Sequence, residues 1–365
     1  MALFALGFRP FYLLAGLYAA LSVPLMALQY AGWLPGVNPL WHAHEMLFGY
    51  AFAVIAGFLF TAVRNWTSRP TPAGAQLAAI ALVWIAARVL AFHRPEAAAY
   101  CDAAFAVAVA WGIGRPILAS GNRNWFFIPL MLALGAASVG FHAAPRLALS
   151  AGLDLVLFIV ALMAGRVVPG FTNNAVPGAG ARRIKSLETA ALGSILLLLA
   201  FDFVEVPIAA SLVALAAAAL HAVRLALWAP LKTRGRPILW ILHVSYAWVV
   251  VHLLLRGLAG FGLVSAVLAT HALTIGAIGG LTLGMMTRTA RGHTARPLVV
   301  GAAEVWAYYL VHAAAIVRVL VPIVAPAAYV ASILAAAALW CAAFAIFCVV
   351  YYPILARPRL DGQPG

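Results

Sequence analysis

The chain has 365 residues, of which 66% are hydrophobic and only 9% are charged, and its formal net charge at pH 7 is +14. A soluble domain usually carries about 25% charged residues, so this composition argues against a water-soluble globular protein. The positive charge does not indicate a nucleic-acid-binding groove, because membrane proteins concentrate Lys and Arg on one side of the bilayer.

Long runs without charge recur along the whole chain, and about 20 apolar residues span a bilayer core as a helix. The runs are rich in Ala and Leu and lack the alternation of a β-barrel, and only helices or closed barrels satisfy their backbone in lipid. We therefore predict an all-α polytopic integral membrane bundle. Gly, Pro and Arg residues separate the apolar runs and so predict about twelve transmembrane helices, at residues 11–31, 43–63, 74–93, 97–114, 124–142, 147–168, 186–204, 206–228, 237–258, 263–287, 298–320 and 328–352.

The longest polar connection is Arg166–Glu188, and no segment is long and polar enough to form a soluble domain. A tight hairpin is predicted around Asp202, Glu205 and Pro207. We therefore predict a single transmembrane domain over residues 1–365, in which two sets of six helices flanking the 166–188 loop would be natural halves. No internal sequence repeat is evident.

Basic residues give the orientation. When the connections are assigned alternately to two sides, 18 of the 23 Lys and Arg residues fall on the side that holds both termini. This bias matches the positive-inside rule. Both termini are therefore predicted to be cytoplasmic, in a multi-pass protein of the bacterial inner membrane.

Histidines within the predicted spans are candidates for binding a metal or a haem, because ionisable groups in a membrane are costly and usually functional. The densest group is His42, His44 and Glu45, at the start of the second span. Successive helical residues turn by about 100°, so His42 and His44 cannot face one pocket unless His42 precedes the helix. His44 is the predicted intramembrane ligand, with His42 at the mouth. The alternative is an interfacial Trp-His belt.

His271 in the tenth span precedes a run of small residues, among them Gly276 and Gly280. These glycines would admit either a flat macrocycle or a closely packed helix. We predict His271 as a metal or haem ligand, because imidazole commonly ligates haem iron and copper. Haem would then lie between the second and tenth spans, on His271 and either His44 or His42.

A second group lies nearer the cytoplasm. His221 and His243 would form another cofactor-binding site or hold haem propionates together with Arg224, and Arg288 is a further candidate for cofactor binding. The alternative is a polar pair that only links two helices. We interpret three further intramembrane histidines as structural or interfacial, namely His93, His142 and His312. His252 lies about 180° around its helix from His243, so those two do not share a pocket.

Several strings distributed along nearly the whole chain resemble the NnrS family of membrane proteins. They include Gly7–Phe11, Trp41–Gly49, Gly57–Leu59, Asn65–Thr67, Gly165–Pro169, Phe171–Thr172, Leu242–His243, His271–Thr274, Met285–Arg288 and Gly292–Thr294. Two positions depart from the family pattern: Ala295 stands where Gly is usual, and Arg64 stands where Pro is common.

The resemblance implies a haem protein of the bacterial inner membrane, expected to hold haem b and copper, associated with denitrification and with relief of nitric oxide (nitrosative) stress. The expected function is binding of nitric oxide at a histidine-ligated site. Reduction of nitric oxide, by an oxidoreductase resembling nitric oxide reductase, would also need a membrane electron donor and proton carriers, for which Glu45 and Asp154 are the candidates. Two alternatives remain open, namely a transporter of a metal or small anion that uses the same histidines, and a non-catalytic sensor or cofactor-insertion factor.

Overall fold

The computed structural model describes residues 2–204 and 206–363, and in these ranges the chain is helical with no strand. Glu205, one residue of the predicted hairpin, lies outside them. The twelve helices are α1 Phe8–Tyr30, α2 Pro39–Thr67, α3 Gly74–Leu90, α4 Pro95–Ala119, α5 Phe127–Gly140, α6 Pro145–Ala175, α7 Lys185–Phe201, α8 Pro207–Leu227, α9 Pro237–Gly260, α10 Ala266–His293, α11 Ala302–Val324 and α12 Tyr329–Ala356.

Each predicted span coincides with one of these helices. Within the described residues, nine helices are long and apolar enough to cross a membrane, so the chain is a multi-pass membrane protein. The three exceptions are the shorter helices α3, α5 and α7. The all-helical prediction is confirmed. The count of about twelve crossings and the cytoplasmic termini stay predictions.

Local sequence explains most helix starts. Helices α4, α8 and α9 begin at Pro95, Pro207 and Pro237, because proline fixes φ and lacks an N–H that the first turn would leave unpaired. At the start of α2, the Asn38 side chain accepts a hydrogen bond from the Trp41 backbone N–H at 2.8 Å. Asn is among the residues preferred at this position.

Helix α6 runs further than the sequence predicts, to Ala175 rather than residue 168. Its last turns are tied to the following connection by Asn173, whose side chain donates to the Ala181 carbonyl and accepts from the Ala181 N–H, both at 2.9 Å. The polar segment that begins at Arg166 is therefore partly helical, and the connection before α7 is short.

Two helices contain a π-helical segment with a wider turn. In α2 the segment is Glu45–Ala51, and it starts directly after His44. In α10 it is Ala272–Gly279, and it starts directly after His271. Segments of π-helix within α-helices are rare and often mark functional sites. Both candidate ligand histidines therefore stand at the same kind of backbone irregularity.

This coincidence reveals a repeat that the sequence analysis missed. A constant offset of 227 residues relates residues that begin or shape equivalent helices: Arg9 and Arg236, Pro10 and Pro237, His44 and His271, Gly49 and Gly276, Gly57 and Gly284, Arg64 and Arg291, and Gly74 and Gly301. Helices α1–α3 thus correspond in order to α9–α11. The signal is weak in sequence because the intervening apolar residues differ freely.

The chain forms two compact units. Unit 1 comprises residues 1–152, 286–298 and 344–365, and unit 2 comprises residues 153–285 and 299–343. In unit 1, the Arg9 guanidinium donates to the carbonyl oxygens of Leu355 at 2.8 Å and Arg357 at 2.7 Å. The start of α1 therefore lies beside the end of α12. The predicted division at residues 166–188 stays a prediction.

Candidate functional site

The buried charges of unit 1 converge on one guanidinium. Arg88 in α3 donates to Glu45 Oε2 at 2.8 Å and also to Asp102 in α4. His44 Nδ1 lies 2.9 Å from Glu45 Oε1, and His44 Nε2 lies 3.1 Å from Ser138 Oγ and 3.7 Å from Asp102 Oδ2. We call Arg88, His44, Glu45 and Asp102 the Arg88 cluster.

The Arg88 cluster holds two carboxylates, one guanidinium and one imidazole, all at most 6% exposed. An isolated charge is very costly to bury, and a buried pair needs good geometry and further hydrogen bonds. Tyr18 supplies one such bond to Glu45, and the Ser138 hydroxyl donates to Asp102 Oδ2 at 3.1 Å. Both carboxylates of the cluster therefore have hydrogen-bond donors within the protein.

Unit 2 contains a second buried ion pair, between α7 and α8. Arg224 binds Glu188 through two parallel hydrogen bonds, from Nε at 2.8 Å and from Nη2 at 2.7 Å. Its Nη1 donates to the Tyr246 hydroxyl at 2.5 Å, and His221 Nδ1 lies 2.6 Å from the same hydroxyl oxygen. Arg224 is thus paired within the protein, by the bidentate geometry that makes Arg a strong partner of carboxylates.

A third ion cluster contains Asp154, the other predicted proton carrier. Arg256 Nη1 donates to Asp154 Oδ1 at 2.5 Å and Arg256 Nη2 donates to Asp202 Oδ1 at 3.1 Å. Asp202 lies in the connection after α7. Burial and the charge of Asp154 raise the pKa of Asp202 to about 7. One guanidinium therefore faces two carboxylates, which favours retention of a proton by one of them.

Three histidines of unit 2 share a feature of metal-binding histidines. His243 Nδ1 lies 3.0 Å from the Leu239 carbonyl oxygen, His271 Nδ1 donates to the Val267 carbonyl at 2.7 Å, and His252 Nδ1 donates to the Ala269 carbonyl at 2.8 Å. A carbonyl only accepts, so a neutral His252 or His271 ring carries its proton on Nδ1. His243 has a carbonyl oxygen near each ring nitrogen, so its tautomer is not fixed in this way. Metal-bound histidines usually donate one ring N–H to such an acceptor and bind the metal with the other nitrogen.

The surroundings of the second ring nitrogen, Nε2, differ between His243 and His252. His243 Nε2 lies 3.3 Å from both the Thr172 hydroxyl and the Trp228 carbonyl oxygen. His252 is only 5% exposed, and its Nε2 has no hydrogen-bond partner within residues 2–204 and 206–363. A buried polar atom without a partner is uncommon and requires an explanation. His252 is therefore the histidine whose chemistry best fits a haem or metal ligand.

His312 also has unpartnered nitrogens. It is 7% exposed, and neither of its ring nitrogens has a hydrogen-bond partner in the part of the chain that the structure describes. Its ring lies next to Gly280, where an added Cβ would meet His312 Cε1 at 3.1 Å. The sequence analysis interpreted His312 as structural or interfacial, because its neighbours in the sequence do not distinguish it from the other intramembrane histidines.

Other side chains of the protein fill the space beside the small residues that follow His271. An added Cβ would collide with Trp248 at Gly276, with Trp340 at Gly279 and with Ser245 at Gly280. These glycines therefore allow side chains of neighbouring helices to pack closely against α10. Of the two interpretations of the glycines, this is the one in which they serve helix packing. These positions do not provide a cradle for a flat macrocycle.

The structure places the remaining predicted residues as follows. His44 and His221 each have hydrogen-bond partners at both ring nitrogens, so metal binding by either would require these bonds to be exchanged. His42, His271 and Arg288 are half-buried. His44 belongs to unit 1, whereas His271 belongs to unit 2. The shared haem between the second and tenth spans stays a prediction.

Sequence reasoning missed three functional candidates: His252, Arg88 and Arg256. The arginines lie near predicted helix ends and were counted there as loop charges. Their helices are long enough to bury them, and only the packing of neighbouring helices reveals their carboxylate partners.

Comparison with known protein families gives a match over nearly the whole chain. The family model described as NnrS protein matches residues 2–359 of the chain. A comparison with curated proteins finds no match.

Proposed function

Since the chain belongs to the NnrS family, we propose that it is a haem-binding protein of the bacterial inner membrane that acts in the nitric oxide response by binding nitric oxide. Nitric oxide is small and uncharged, so it can reach a site within the bilayer through the lipid. The family membership and the apolar helices support a membrane protein. Haem binding and the reaction with nitric oxide are the proposed part.

The single observation that carries the proposal is His252. Its ring is buried, its Nδ1 proton is fixed by the Ala269 carbonyl, and its Nε2 lone pair has no partner. A neutral imidazole in this state is prepared to bind a metal, because the backbone acceptor sets both the tautomer and the ring orientation. His271 likewise donates from Nδ1 to a backbone carbonyl, that of Val267, and is the next candidate.

Haem iron, when bound, supplies the position at which nitric oxide binds. The chain itself would hold the iron through a histidine and exclude water from it. Reduction of nitric oxide would consume electrons from a membrane donor and protons. Glu45 and Asp154 are the proposed proton carriers, because each shares an arginine with a second carboxylate.

The test is an optical spectrum with metal analysis of the purified protein, before and after addition of nitric oxide. Wild type should show a haem Soret band that shifts with nitric oxide. His252→Ala should lose or shift this band, and His271→Ala should be measured beside it. His93→Ala is the matched control, because His93 is exposed. A wild-type protein without haem, loaded or reconstituted, would refute the proposal.

A specific observation also favours the transporter alternative. Transporters built from repeats often have interrupted helices at matching positions. Here the π-helical segments of α2 and α10 follow His44 and His271, which the 227-residue offset relates. In this alternative the two histidines would bind a metal or small anion transiently.

Transport is distinguished by uptake into proteoliposomes. Uptake of a metal or of a small anion that is abolished by His44→Ala and by His271→Ala, with the haem spectrum unchanged or absent, would favour the transporter. Absence of uptake together with a nitric oxide-sensitive Soret band would favour the haem protein.

A further inference from the structure

Arg318 in α11 is a buried cation without an anionic partner. It is 6% exposed. Its Nη2 donates to the Tyr329 hydroxyl at 3.1 Å, and its guanidinium carbon lies 5.0 Å from the centre of the Tyr329 ring. Its Nη1 is buried and has no hydrogen-bond partner, and Arg318 forms no ion pair within the described part of the chain.

The internal repeat shows what this position lacks. Helix α3 corresponds to α11, because Gly74 and Gly301 start them at the 227-residue offset. Arg88 in α3 and Arg318 in α11 are thus the buried arginines of equivalent helices, with Arg318 about one turn further along. Each contacts the helix that follows its own, Arg88 through Asp102 and Arg318 through Tyr329.

The two arginines differ in charge compensation. Arg88 has two carboxylates, Glu45 and Asp102. In unit 2 the residue after His271 is Ala272, where unit 1 has Glu45 after His44, and the following helix offers Arg318 a phenol. An unpaired charge is costly to bury, and a phenol hydroxyl does not neutralise a guanidinium. Among the described residues no carboxylate supplies the missing negative charge to Arg318.

We propose that Arg318 is an anion-binding residue of unit 2, which pairs with a carboxylate or a small oxyanion supplied by a bound molecule. Arg suits such a ligand, because its planar donors match the oxygens of a carboxylate in parallel. Two sources share this chemistry: a propionate of a bound porphyrin and a free oxyanion such as nitrite. The first source rests on the proposed haem function, and the second does not.

The free-anion source is tested by thermal unfolding of the full-length protein in detergent. Nitrite or acetate is titrated at constant ionic strength, set by a bulky sulfonate salt. A ligand that binds only the folded state raises Tm with its concentration. Wild type should show this rise and Arg318→Gln should lose it. Arg318→Lys should retain part of it, and Arg115→Gln, at an exposed position, should behave as wild type.

The porphyrin source is tested by comparing haem with haem dimethyl ester, in which the propionates carry no charge. Wild type should bind the free acid at least about tenfold more tightly than the ester, a difference of ~1.4 kcal/mol. Arg318→Gln should bind both with similar affinity.

The outcomes are separable. If no variant binds haem, the haem function fails and the free-anion titration alone decides the role of Arg318. The inference is overturned if wild type responds neither to a free anion nor to esterification. It is also overturned if Arg318→Gln responds as wild type does.

Discussion

The Nδ1–H of His252 donates to the carbonyl oxygen of Ala269 at 2.8 Å. This bond joins α9 to the first turns of α10 and directs the unpaired Nε2 away from the acceptor. The sequence analysis did not select His252 as a ligand, and this bond makes it the strongest ligand candidate among the described residues.

The bond predicts a difference between two substitutions at position 252. His252→Gln can retain a hydrogen bond to Ala269 but offers iron no imidazole, so it should lose haem while the protein stays folded. His252→Ala should lose haem and some stability. Haem content and Tm, measured on the same preparations, check this. Equal haem content in wild type and His252→Gln would contradict it.

Removal of Arg88 should strongly destabilise unit 1. Arg88→Gln leaves the buried carboxylates of Glu45 and Asp102 without their guanidinium, and breaking a buried pair in this way costs about 3–5 kcal/mol. Unfolding in denaturant measures the loss.

The triple substitution Arg88→Gln, Glu45→Gln and Asp102→Asn removes all three of these charges. It should recover much of the lost stability. If the single and triple variants were equally unstable, packing of Arg88 rather than charge would explain the loss.

Gly165 should be required by the Arg224–Glu188 pair. A Cβ at this position would overlap Arg224 Nη2 and crowd Glu188 Oε2, so Gly165→Ala should displace the pair and lower Tm. Gly170 lies on the same helix with nothing within 4 Å of an added Cβ. Gly170→Ala should therefore leave Tm unchanged or raise it, since Ala is favoured over Gly in a helix by about 1 kcal/mol. A lower Tm in both variants would contradict the proposed clash.

Asp202 should make stability depend on pH. Its pKa is raised to about 7 by burial and by Asp154, with Arg256 opposing the rise, whereas an unfolded Asp titrates near 3.9. The folded state therefore binds more protons between these values, so stability falls as pH rises from about 4 to 7.

Asp202→Asn should flatten this dependence of Tm on pH. The control is Asp361→Asn, because Asp361 lies on the exposed C-terminal segment, where Arg359 holds its pKa near 2. A slope unchanged in Asp202→Asn would assign the proton to another group.

The sequence by itself determined the helical bundle and the approximate positions of its helices, because apolar runs in lipid must satisfy their backbone as helices. It also selected His44, Glu45 and His271 as candidate site residues, because they are polar residues within apolar segments. These properties are local, so they can be read without knowing which helices are neighbours.

Only the tertiary structure decided which charges are compensated. Arg88 in α3 binds Glu45 in α2 and Asp102 in α4, whereas Arg318 has the Tyr329 hydroxyl and no carboxylate as its hydrogen-bond partner among the described residues. The unpaired nitrogen of His252 likewise depends on where the Ala269 carbonyl lies. Whether a buried polar atom has a partner is a property of helix packing, and apolar helices can pack with many different neighbours.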